Sequence, residues 1–207
     1  MKKRVIYLLV GIILALISFI YDVQMIQFVE SIRNFYLDYI FVGITFASSG
    51  IIIFFFLTSL FLWQEHKRKW IPPLWLSLGF SIIMSYIIKV LVHRARPFQE
   101  GIVSVLGIGQ YFMQNNVLTW NFSMPSFQSI LVFSALPILD KEFPKFKYIW
   151  FVFACLVAFS RVYFGLHYFS DVIIGGIVGY SIGLYFVYIE EKYGLGSKIL
   201  RKLKIEK

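Results

Sequence analysis

Residues 39–63 are 25 consecutive positions without a charged side chain. A helix on the surface of a soluble domain shows an apolar stripe and a polar face. This stretch is apolar all round, and it exceeds the roughly 20 residues that cross the hydrocarbon core of a bilayer. Similar runs recur at about 5–21, 72–92, 126–139, 148–160 and 169–189, that at 126–139 short but completed by its flanks. Only 15% of the residues are charged, against about a quarter in a soluble domain, and the mean hydropathy is +0.75. The blocks imply an all-α polytopic membrane protein, a bundle of six transmembrane helices in one domain covering residues 1–207.

The connecting segments set an orientation. "MKKR", "QEHKRK" (64–69), "DKEFPKFK" (140–147) and the basic tail (190–207) hold most of the Lys and Arg. By the positive-inside rule these face the cytoplasm, and with them both termini. The net charge of +9 is therefore a membrane-topology signal and implies no nucleic-acid partner. Segments 22–38, 93–123 and 161–168 fall outside; the first reads as a linker or an interfacial helix. The run at 5–21 is too long for a signal-peptide core and lacks an Ala-x-Ala site after it, so it reads as a retained first span. The tail is amphipathic and suits the membrane surface. Cys155 is the single cysteine, so no intrachain disulfide forms.

Lys89, Arg94, Arg96 and Arg161 are cations on the side where the rule does not put them. Charges misplaced near a membrane point to function. They belong to three clusters on the outer side: "KVLVHRARP", the stretch around Ser126, and "SRVYFGLHYFSD". Lys89, Arg96 and Arg161 supply three cations, two of them planar forks suited to phosphate. Ser126 opens a helix, where it is either an ordinary N-cap or part of an anion cradle. His167 and Asp171 are four apart and so are expected on one helix face, the carboxylate orienting the imidazole. The imidazole is then a candidate nucleophile toward phosphorus. Arg94 reads as a headgroup contact outside the phosphate shell. No cysteine or carboxylate cluster suggests a metal, and no cofactor is expected.

Lys-x6-Arg-Pro, Pro-Ser-x-x and Ser-Arg-x5-His-x3-Asp, spread over 89–171, resemble the three-part signature of the type 2 phosphatidic acid phosphatase (PAP2) family, which is related to vanadium haloperoxidases. The resemblance implies the six-helix membrane fold of that family and an active site on the extracytoplasmic face of the cell membrane. It implies His167 as nucleophile with Asp171 as its partner, and Lys89, Arg96, Ser126, Phe127 and Arg161 around the phosphate. The implied substrate is a lipid phosphate or diphosphate, such as phosphatidate or a polyprenyl diphosphate, with membrane lipids as the surroundings.

The middle motif departs from that signature. The family reads Pro-Ser-Gly-His there, the histidine acting as general acid for the leaving group; this chain has Phe127 and Gln128. Glutamine donates a hydrogen bond but delivers no proton near neutral pH, and general acid catalysis is worth about 10² to 10⁴ in rate. An alkoxide leaving from a monoester needs that proton; a lipid monophosphate leaving from a diphosphate is already a stable anion. The expectation is an enzyme biased toward diphosphates. Phe127, larger than glycine, is expected to narrow the pocket. His93 is a candidate substitute acid, whereas His66 lies in an inner loop. The competing readings are a relative that binds lipid phosphates without turnover, and a channel or transporter. The latter needs charges or broken helices at mid-span, and spans one, two and four are almost charge-free.

Overall fold

The structure, a computed structural model, describes residues 2–104 and 122–202, with side chains from residue 9. The middle of the outer polar segment (105–121) and the end of the basic tail (203–207) lie outside the described residues. All six expected apolar blocks are helical, but two of them differ from the expectation.

Helix α1 (Lys2–Ser31) does not stop at residue 21. It continues as one helix through the expected linker and carries Asp22 into the bundle, where that residue is buried. Asn34 caps the next helix, α2 (Phe35–Ala47), by accepting from the Leu37 amide at 3.1 Å. The expected second span is then broken. Ser48 bonds back to the Thr45 carbonyl at 2.9 Å, and Ser49 caps α3 (Gly50–Leu62) by accepting from Ile52. Two serines that satisfy the backbone locally, followed by glycine, end one helix and start another. The chain turns by 61° there.

A short 3₁₀ turn (Glu65–Trp70) leads into α4 (Ile71–Val92), whose first turn holds Pro72 and Pro73, where proline is tolerated. Helix α5 (Phe127–Glu142) has 16 residues. At 1.5 Å per residue it is about 24 Å long, short of the roughly 30 Å hydrocarbon core. It sits inside the bundle, buried from Ser129 to Leu139 except at Phe133. Helices α6 (Lys147–Tyr163) and α7 (Phe169–Tyr193) follow, then a short α8 (Leu195–Lys202). Among the described residues, four helical segments are long and apolar enough to span, and the bent α2–α3 pair makes a fifth. The remaining expected span, α5, is shorter than these and is packed among the other helices.

Large apolar side chains face outward: Ile20 is 71% exposed, Phe46 70% and Ile51 72%. Such a surface is stable only against lipid, and the protein is a multi-pass membrane protein. Two apolar clusters fill the interior. One joins Phe61, Leu74, Ile138 and Val157; the other joins Ile26, Val162, Tyr163 and Tyr168.

The closest helix contact fixes the site. Gly175, Gly179 and Gly183 recur every fourth residue on α7 and face α5. A Cβ at Gly179 would sit 2.2 Å from the Ile130 carbonyl oxygen, and one at Gly183 2.2 Å from that of Ser134. Small residues at this spacing let two backbones touch, the usual basis of helix association in lipid. The contact seats the start of α5 against the start of α7.

Candidate active site

Four chain segments meet where α4, α5, α6 and α7 have their ends on one side of the bundle. Helix α4 stops at His93, which takes the left-handed conformation (φ 51°) while its amide bonds the Lys89 carbonyl. Lys89, in the last turn, is buried, and its Nζ donates to the Phe122 carbonyl. The chain beyond His93 is tied to the approach to α5, Ser123 N donating to Arg94 O at 2.8 Å. Arg96 reaches inward: its Nη1 donates to the Leu166 carbonyl at 2.9 Å and lies 3.2 Å from His167 Nε2.

Helix α6 ends with Arg161 buried. The chain then reverses through Gly165 (φ 72°), a conformation that favours glycine, and Leu166 N closes the turn on Arg161 O at 3.1 Å. His167 follows, and α7 starts two residues later. The expectation that His167 and Asp171 share a helix face is corrected here. Asp171 lies in the first turn of α7 and its Oδ2 accepts from Tyr168 N at 2.8 Å, a capping role that starts the helix after His167. The histidine approaches the carboxylate from outside the helix, Nδ1 at 3.8 Å from Oδ2. That is beyond hydrogen-bond length, and Nδ1 has no hydrogen-bond partner among the described residues.

The ring's orientation follows from its neighbours. Nε2 faces a guanidinium, which only donates, so Nε2 is the acceptor and the proton sits on Nδ1, toward Asp171. Burial, then the charge of Arg96, pushes the His167 pKa down to about 3. The imidazole is neutral at physiological pH, its lone pair on Nε2. Burial also lowers Arg96 to about 10, where it remains a cation.

Several polar groups here are left without partners. Ser126 occupies the N-cap position of α5, yet its side chain makes no capping bond, so the simple N-cap reading does not hold. Its backbone N donates to Asp171 O at 3.1 Å. Arg161 Nε and Nη2 are buried and unpartnered as well. A buried donor with no acceptor costs roughly 1–3 kcal/mol, more when charged. Donors of this kind, grouped beside three cations, suit an anion that supplies oxygens.

Phe127 packs against the apolar cluster between α3 and α6. Gln128 is half-buried in the first turn of α5 and makes no side-chain hydrogen bond among the described residues. His93 is exposed with its ring against Phe122, and His66 lies in the 3₁₀ turn beyond the other end of α4. No group of three His, Cys, Asp or Glu placed to hold a metal occurs among the described residues.

Arg94 is the residue whose place the sequence reading missed. It is no headgroup contact. Its guanidinium bridges Asp171 Oδ1 (2.9 Å) and Asp22 Oδ2 (2.7 Å), bonds Ser170 Oγ (2.6 Å), and stacks 4.0 Å above the Tyr168 ring. Burial opposes its charge, but the two carboxylates outweigh burial and hold its pKa above the ordinary value. Asp22 also accepts from Ser170 N at 3.0 Å, and Ser123 Oγ donates to Asp171. The one available signal was Asp22, an acid directly after the apolar run of α1.

Comparison with known proteins shows the family to which the chain belongs. The chain is similar to an uncharacterized protein, MJ0662, of Methanocaldococcus jannaschii, 26% identical over 75% of this chain and 63% of that protein. It is 30% identical to an undecaprenyl-diphosphatase of Sulfolobus acidocaldarius, over 71% of this chain and 68% of that protein. Its fold matches the crystal structure of a PAP2-type phosphatidylglycerolphosphate phosphatase from Bacillus subtilis, with a TM-score of 0.72 at 23% identity, covering 93% of this chain and 98% of the other. It also matches LpxE of Aquifex aeolicus, with a TM-score of 0.63 at 23% identity, covering 81% and 94%. The family model of the PAP2 superfamily matches residues 70–194, which contain all three polar clusters, and the chain belongs to that superfamily.

Proposed function

We propose that this protein is a lipid phosphatase that removes the terminal phosphate of a lipid phosphate or diphosphate through a phosphohistidine on His167. The observation that carries the reading is the His167 Nε2 lone pair, 3.2 Å from Arg96, beside the unpartnered donors of Arg161 and Ser126. A phosphoryl group entering there takes oxygen contacts from Lys89, Arg96, Arg161 and Ser126. Arg96 turns from the imidazole to the phosphate and so frees the lone pair. Nε2 attacks phosphorus, the P–O bond to the lipid breaks, and the lipid leaves with that electron pair. The positive charge that builds on the ring is stabilised by Asp171, toward which Nδ1–H points. Water then attacks the phosphohistidine and releases inorganic phosphate. The cations spread the charge of the transition state, the dominant contribution in phosphoryl transfer.

Gln128 occupies the position where the family has its general acid, and it brings only a hydrogen bond to the leaving group. The favoured substrate is therefore a polyprenyl diphosphate, whose leaving lipid phosphate needs no proton; the similarity to an undecaprenyl-diphosphatase supports this choice. Both termini are assigned to the cytoplasm and the active site to the extracytoplasmic face, supported by the distribution of Lys and Arg.

The test is phosphate release by detergent-purified protein with EDTA present, on a polyprenyl diphosphate and on phosphatidate. Release that disappears in His167→Ala, and that is faster on the diphosphate, is expected. Equal rates on the two substrates would remove the leaving-group argument. No release from either would leave a lipid-phosphate-binding protein silenced at Gln128.

A further inference from the structure

We propose that the hydroxyl of Ser85, on α4, is a further ligand of the bound phosphoryl group. The inference rests on the phosphate site assigned above and adds a residue that lies outside all three polar clusters. Helix α4 carries Ser77, Ser81, Ser85 and Lys89 one turn apart, all on one face and all at most 1% exposed. Two contacts fix how this face lies against the segment that includes α5. Ser77 Oγ donates to the Ser134 carbonyl at 3.3 Å, and Lys89 Nζ donates to the Phe122 carbonyl. The helices are therefore antiparallel. Eight residues outward from Ser77 on α4 is Ser85; eight residues back from Ser134 on α5 is Ser126. The two serines stand at the same level, one turn below Lys89.

Their hydroxyls are in the same condition. A buried helical serine normally bonds the carbonyl one turn back, as Ser81 does to Ser77 at 2.8 Å. Ser85 does not: its Oγ is buried without a partner among the described residues, as are Ser126 Oγ and Arg161 Nε and Nη2. An oxyanion held under Lys89 accepts from all of these at once. The hydroxyl pair then supplies donors that carry no charge.

The experiment is a titration of the full chain in detergent with inorganic phosphate, read as thermal stability. Wild type, Ser85→Ala, Ser85→Cys and Ser81→Ala are compared. Phosphate is expected to stabilise the wild type. Ser85→Ala, which removes an orphaned polar group, should hold or raise the melting temperature without phosphate and move the phosphate midpoint up about tenfold, the worth of a hydrogen bond to a charged group. Ser85→Cys, similar in shape but a weaker donor, should move the midpoint in the same direction by less. Ser81→Ala should leave it in place. A Ser85→Ala midpoint equal to wild type overturns the proposal while the phosphate site stands. A Ser85→Ala protein that is less stable without phosphate and unshifted in its midpoint assigns Ser85 a packing role and overturns it too. Wild type indifferent to phosphate removes the phosphate site itself, and Ser85 with it.

Discussion

Arg94→Leu removes the support of the site without touching the reacting groups. Arg94 is the cation paired with both Asp22 and Asp171, at 2.7 and 2.9 Å. Those carboxylates are 2% and 0% exposed, so removing Arg94 leaves two acids buried. Breaking a buried ion pair from one side costs about 3–5 kcal/mol. The Arg94 side chain is 22% exposed, which admits some water and places the loss near the lower figure, about 3 kcal/mol. For a chain of this length that lowers the melting temperature on the order of 10 °C. Because Asp171 loses one of the partners that hold it, kcat should fall with little change in KM. The assay is thermal unfolding in detergent beside single-substrate kinetics, with Asp22→Asn added on the Arg94→Leu background. The second substitution removes one stranded charge and should restore part of the stability but none of the activity. An Arg94→Leu protein within about 2 °C of wild type, or a double variant less stable than the single, would refute the reasoning.

Four further outcomes follow from the same geometry. Gln128→His restores a proton donor and should raise turnover of a lipid monophosphate by about 10² to 10⁴ while changing diphosphate turnover little; rates of the two substrates measured in parallel decide it. Gly179→Leu places a side chain where a Cβ already meets Ile130 O at 2.2 Å, so it should separate α5 from α7 and abolish both activity and cooperative unfolding. Gly79→Ala, with nothing within 4 Å, should be neutral or stabilising by up to about 1 kcal/mol. His167 titrates at about 3 in the fold and near 6.5 when unfolded, so the unfolded chain binds the extra proton between those values. Stability should therefore fall as pH drops from about 6.5 toward 3, with a shallower fall in His167→Asn, and the difference between the two unfolding curves reports it.

The candidate site residues could be picked out from the sequence, and their support could not. Lys89, Arg96, Arg161, His167 and Asp171 were legible because their spacings are local: a helix end, a turn and a helix start fix each one. The placement of His167 on a helix face was wrong for a physical reason, since Asp171 spends an oxygen on the Tyr168 amide and begins the helix after the histidine. The break at Ser48 and Ser49 was visible in retrospect as two helix-competing side chains before a glycine. Arg94 and Asp22 are 72 residues apart in sequence, and nothing local in either segment announces their pairing. The same holds for Ser85, which matters only through the register of α4 on α5.

The role of His167 is tested most directly by trapping. The protein is mixed with a polyprenyl diphosphate radiolabelled in the terminal phosphate, denatured within the first turnover, and digested. A label on the peptide containing His167, stable in base and lost in acid, and absent from His167→Ala, is the predicted result. Turnover that proceeds with no label on that peptide, or a label that persists in His167→Ala, would contradict the assignment of His167 as the nucleophile.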